Sequence, residues 1–143
     1  MEPASVVGLV AACASLVRTC ASLIKTLHNV AGLYRDAELS ILSLIEVCET
    51  TRFAWTTLEE WANKNISTVE DANLVLQRFQ RSLYAGQLIM GALEQDVAKA
   101  IPKIGVFRRR ANLVWNAAAF QEHQARIRDQ NAALQLLLQV LSM

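Results

Sequence analysis

The chain has 143 residues, 53% hydrophobic and 19% charged, with a formal net charge of +1. That length suits one domain, able to bury roughly 70% of the surface its unfolded chain exposes, so its stability requires no disulfide or metal. With 2 Pro and 5 Gly it is too sparsely punctuated for a many-stranded sheet and suits a few long helices. The small net charge hides an asymmetry. Through Asp96 there are 7 basic and 11 acidic residues, and from Val97 onward 7 basic and 2 acidic. A basic C-terminal part can meet lipid or nucleic-acid phosphate, or pair with acidic neighbours in its own bundle.

The first element starts near Pro3, where the missing N–H costs nothing. Val6, Val10, Cys13, Val17, Cys20, Ile24 and Leu27 alternate at spacings of four and three, and Leu9, Leu16 and Leu23 widen the stripe. This predicts a helix to about Asn29, with Gly32 in the connection. Pro3 to Val17 is 15 residues without a charge, and Pro3 to Ile24 is 22 positions with Arg18 as the single charge. The stretch makes a poor signal peptide, because Glu2 stands where Lys or Arg belongs and no polar segment follows the apolar run.

Off the stripe lie Gly8, Ala11, Ala12, Ser15, Thr19 and Ser22. Such small residues let backbones approach closely. In a soluble bundle they mark a central helix contacted from several sides. About 20 apolar residues also suffice to cross a bilayer, so a released helix could insert with Arg18 snorkelling. The membrane-insertion candidates are Val6, Val7, Leu9, Val10, Leu16, Val17, Leu23 and Ile24.

The second element runs roughly from Asp36 to Asn63, on a stripe of Ile41, Leu44, Cys48, Thr51, Trp55, Leu58 and Ala62. The third opens on Ser67 with Glu70 three residues on, a capping box. It follows Leu76, Phe79, Leu83, Gly86, Met90, Leu93 and Val97 and ends near Ile101, before Pro102. IPKIGVFRRR is an irregular basic segment, and with Lys99 it gives a basic patch of Lys99, Lys103, Arg108, Arg109 and Arg110. The fourth helix runs from about Arg110 to Val140 on Leu113, Ala117, Phe120, Gln124, Ile127, Asn131, Leu134, Leu138 and Leu141. Gln124 and Asn131 are polar seam positions of the kind that set register.

The expected fold is therefore all-α: an up-down bundle of four long helices, with room for an extra short one, and an apolar, central first helix. Cys13, Cys20 and Cys48 form no CxxC and read as small apolar core residues in a reducing compartment. His28 and His123 have no Cys or carboxylate at ligand spacing in the sequence. No catalytic, cofactor-binding or metal-ligating constellation occurs. Three arginines at a helix start are weak grounds for nucleic-acid binding, since positive charge there opposes the helix dipole.

EPASVVGLVAACASLV, through Glu2, Pro3, Ser5, Gly8 and Leu9, resembles the start of fungal N-terminal domains carried by STAND-type, NOD-like receptor proteins. The last helix is similar to that family's closing helix, through Arg108 to Arg110, Trp115, Ile127, Leu134, Leu137 and Leu138. The resemblance covers essentially the whole chain and implies an all-helical domain of the HeLo-like group. Relatives in that group are cell-death effectors in fungal non-self recognition, and their hydrophobic first helix is held responsible for membrane targeting. Plant resistance-protein coiled-coil domains and the necroptosis pseudokinase follow similar bundle logic.

By resemblance, residues 1–143 would be one domain excised from a longer cytoplasmic receptor that relocates to the plasma membrane on activation. Self-association, anionic lipid and downstream nucleotide-binding or ankyrin-repeat domains are the implied partners. The chain departs from the pattern in one respect: its first helix has no acidic residue after Glu2, so an acidic ring lining a pore is not supported. The alternative function is a homotypic interaction module without membrane activity, its stripes and Trp55, Trp61 and Trp115 serving packing and self-association.

Overall fold

The computed structural model describes the backbone of residues 6–33, 38–65, 72–100 and 117–142, and the side chains of 8–32, 39–64, 77–98 and 121–141. Among the described residues there are four helices and no strand. They are α1 (Val6–Leu33), α2 (Glu38–Asn65), α3 (Ala72–Ala100) and α4 (Ala117–Ser142). The all-helical bundle expected from the stripes is present.

Helix ends differ in detail from the sequence expectation. α1 continues through Gly32 to Leu33, because Val30 and Ala31 are buried and hold its last turn on the core. Gly32 is thus inside the helix and not in the connection. α2 extends two residues past Asn63. The Ser67–Glu70 capping box, Leu113 and Trp115 lie outside the described residues.

The packing partners define a ring. α1 packs on α2 most extensively and also on α3, and α4 packs on the same two helices. α1 and α2 are antiparallel, since Cys13 feels the Glu59 charge while Cys20 neighbours Cys48 and Arg52. α3 and α4 are antiparallel too: Ser82 meets Gln130, whereas Asp96 meets His123. Six residues separate α2 from α3 and reach about 25 Å at most. α2, with 28 residues, is about 42 Å long, so α3 must start at the end where α2 stops. One end of the bundle therefore gathers the start of α1, the end of α2, the start of α3 and the end of α4.

The core is one continuous cluster. α1 supplies Leu9, Cys13, Leu16, Cys20, Leu23, Ile24, Leu27, Val30 and Ala31 to it, and α2 as many again. α3 and α4 contribute mainly Phe79, Met90, Leu93, Ile127 and Leu134.

All four helices meet at Gly86. A Cβ placed there would lie 2.8 Å from Trp55 Cζ2, 3.1 Å from Gln130 Nε2 and 3.3 Å from Leu16 Cδ1. Glycine in mid-helix costs about 1 kcal/mol relative to alanine. Here it is the residue that lets the wholly buried Trp55 ring lie against the α3 backbone.

A polar layer sits beside this contact. Thr51 Oγ1 donates to Asn131 Oδ1 at 2.7 Å, and Asn131 Nδ2 lies 3.5 Å from the Val47 carbonyl. Gln130 Nε2 donates to the Ser82 carbonyl at 3.0 Å. These bonds join α4 to α2 and to α3 inside an apolar surround; Thr51 Oγ1 also lies 2.9 Å from the Val47 carbonyl, and Gln130 Oε1 is buried with no partner among the described residues.

Candidate functional site

The candidate site is α1 itself. Gly8–Gly32 is 25 residues long and apolar enough to cross a membrane, and 33% of its apolar window is buried in the bundle. Twenty-five helical residues span about 37 Å, against roughly 30 Å of bilayer hydrocarbon. A core helix of a soluble bundle can have the same composition, so burial decides what the helix does at rest.

The structure divides the insertion candidates. Leu9, Leu16, Leu23 and Ile24 are buried, and Val10 and Val17 are half-buried against the core. Val6 and Val7 lie in the first turn of α1, with side chains outside the described residues. The apolar residues that would meet lipid are therefore those that now hold the bundle together. α1 is apolar and packs centrally, between α2 and α3.

Its small residues do not all serve that packing. Ala12 and Thr19 are half-buried, but Gly8, Ala11, Ser15 and Ser22 are exposed. They line up at spacings of three or four with Arg18 and Lys25 as a second, outward stripe. Arg18 also lies two positions from the midpoint of Gly8–Gly32, further from an end than the 22-residue count placed it.

Of the basic patch, only the backbone of Lys99 falls within the described residues. Lys99 is in the last turn of α3, at the end of the bundle opposite the start of α1. Its side chain, and all of Lys103, Arg108, Arg109 and Arg110, lie outside the described residues.

The three cysteines are free and buried. Burial pushes each thiol up to about 12, with the Glu59 charge adding to this at Cys13 and the Cys20 and Glu49 charges at Cys48. Such thiols are protonated and poor nucleophiles at neutral pH. Among the described residues no group of three His, Cys, Asp or Glu is placed to hold a metal ion.

Sequence reading missed one pair. His123 Nε2 lies 2.6 Å from Asp96 Oδ2, with the His side chain 6% exposed. Its carboxylate partner comes from α3, 27 residues earlier, and no local spacing signals it. The pair joins α3 to α4 at the end of the bundle where α1 finishes. No family model matches the chain, and no curated protein or solved structure matches it either.

Proposed function

We propose that this chain is the N-terminal effector domain of a fungal NOD-like receptor of the STAND type, a HeLo-like bundle in which α1 is a stored membrane-targeting helix. In this reading it acts in programmed cell death or non-self recognition. It rests in the cytoplasm, is clustered by a downstream nucleotide-binding or ankyrin-repeat region, and moves to the plasma membrane. The observation that carries the reading is the dual character of α1: long and apolar enough to cross a bilayer, yet supplying much of the core. The resemblance of the two chain ends to that family supports it independently.

Magnitudes explain why clustering is needed. Withdrawing α1 exposes Leu9, Leu16, Leu23, Ile24, Leu27 and Val30. At about 1.5–3 kcal/mol each this costs about 9–18 kcal/mol, comparable to or above the whole stability of a domain, about 5–15 kcal/mol. Insertion of a single copy returns nothing on balance. The 11 Leu, Ile and Val residues of α1 contribute about −5 kcal/mol, and Arg18 and Lys25 oppose with about +2.5 to +3.5 kcal/mol each near the bilayer centre. A lone copy therefore keeps α1 docked, and several copies assembled together must shield Arg18.

Leakage from anionic vesicles tests the reading, with the protein clustered on a tethering scaffold. Leu9 and Leu16 are poor sites for the test because charging them unfolds the bundle. Ser15 is exposed, so Ser15→Lys leaves the fold intact and places a charge within the hydrocarbon. The expected result is leakage by clustered wild type and roughly 50-fold less by Ser15→Lys. No leakage by clustered wild type refutes the membrane reading. The second reading, a homotypic module without membrane activity, is favoured by exposed Leu136 and Val140 on α4 and predicts stable oligomers that leave vesicles intact.

A further inference from the structure

We infer that the middle of α2, residues 46–57, is a conditional helix: it stays wound only while α1 is docked on it, so release of α1 and unwinding of this segment are a single event. The inference concerns the resting chain in water, and it stands or falls whether or not α1 ever meets lipid.

The segment reads EVCETTRFAWTT. Seven of its twelve residues are β-branched or aromatic: Val47, Phe53 and Trp55, with Thr50, Thr51, Thr56 and Thr57. Such residues lose side-chain freedom in a helix and favour strands. α4 shows the contrast, with three of this kind, Phe120, Ile127 and Val140, among its 26 residues. The threonines add a second burden. Each donates to the carbonyl four residues back, at Glu46, Val47, Arg52 and Phe53, over 2.8 to 3.1 Å. Back-bonding of this sort competes for the carbonyls of the helix ladder, and it weakens and bends a helix. Local support comes from the Glu49–Arg52 pair, a surface contact of little energetic weight.

A stretch with these preferences does not hold a helix by itself. Yet α2 runs through it without a break from Glu38 to Asn65, so packing supplies what the local sequence lacks. Val47, Cys48, Thr51, Ala54 and Trp55 are buried. Most of that cover is α1, whose contact with α2 is the most extensive in the bundle. Cys48 neighbours Cys20, and Trp55 and Leu16 both border Gly86. A segment whose local preference disagrees with its fold is the first to change when its packing partner leaves. Unwinding also breaks the bond from Thr51 to Asn131, so loss of α1 is carried through α2 to α4.

Native-state hydrogen exchange of the full chain in low urea, without lipid, tests this. Amides of residues 50–57 and of residues 13–27 in α1 are expected to share one opening constant and one urea slope. Both are expected to open about tenfold or more as often as residues 123–134 of α4. The hydroxyls of Thr50 and Thr57 donate within α2, so a Thr50→Ala, Thr57→Ala double variant keeps the fold and favours the wound segment. It is expected to slow exchange in the segment and in α1 by the same factor, roughly fivefold, because coupling is reciprocal. A segment that opens with α1 still protected, or stays protected while α1 opens, overturns the inference. So does a double variant that slows the segment and leaves α1 unchanged. One opening constant for all four helices overturns it too, since nothing then answers to α1 in particular.

Discussion

α1 and α4 are helices of similar length, each with an apolar end, and the bundle treats them oppositely. α1 commits nine residues to the core and turns outward a stripe of small residues. α4 commits little beyond Ile127 and Leu134, and leaves Leu136 and Val140 exposed. Both apolar ends lie at the same end of the bundle. One helix stores its apolar surface inside the fold, whereas the other leaves part of it exposed. Stored surface is costly to release, because the core must be opened to free it, whereas exposed surface can be changed at little cost to the fold.

The sharpest break in this comparison is truncation. Leu16→Ala should cost about 2–5 kcal/mol in urea unfolding, and Leu136→Ala less than about 0.5 kcal/mol. Equal effects would mean that α4 is as deeply committed as α1. Alkaline titration comes next. The thiols of α1 and α2 are raised in the folded state from 9.0 to about 12. Their contribution is therefore complete below pH 9 and is lost as pH rises towards 12. Unfolding stability should fall above pH 9 by up to roughly 4 kcal/mol per pH unit for three thiols, and the Cys13→Ala, Cys20→Ala, Cys48→Ala triple variant should show a correspondingly shallower slope.

Gly86→Ala probes where the helices meet. Helix propensity alone predicts a gain of about 1 kcal/mol. The 2.8 Å approach to Trp55 predicts overpacking of about 1–3 kcal/mol, because a wholly buried ring has little room to yield. The net expectation is destabilisation, read in the melting temperature together with Trp fluorescence. The smallest effect concerns the polar layer of α4. Asn131→Ala should cost about 0.5–1.5 kcal/mol by removing the cross-helix bond, since Thr51 Oγ1 keeps the Val47 carbonyl as an acceptor, and a Thr51→Val, Asn131→Leu double variant should recover part of that loss.

Much of the bundle was legible because its stripes are long. The heptad positions named from sequence on α1 and α2 are largely the ones buried: Cys13, Cys20, Ile24 and Leu27 on one, Ile41, Leu44, Cys48, Trp55 and Leu58 on the other. Asn131 was legible as a seam residue for the same reason, and its partner Thr51 as a stripe position. Gln130 and His123 were not, because a polar residue reveals an inward position only through its partner. Ser82 and Asp96 stand 48 and 27 residues away on another helix. The exposed small stripe of α1 was also hidden, since low side-chain volume fits close packing and open solvent equally. The exposure of Leu136 and Val140 was obscured by the inward leucines of the same LQLLLQVL stretch.

Thiol labelling with a water-soluble maleimide, on clustered protein with anionic vesicles, tests the stored-helix claim most directly. All three cysteines are sealed in the resting bundle. If α1 moves into lipid, Cys13 and Cys20 travel with it and stay shielded, while Cys48, left on α2, loses its α1 cover. The account predicts that Cys48 becomes reactive in step with leakage and that Cys13 and Cys20 do not. Leakage with all three still protected, or with all three labelled alike, would contradict it.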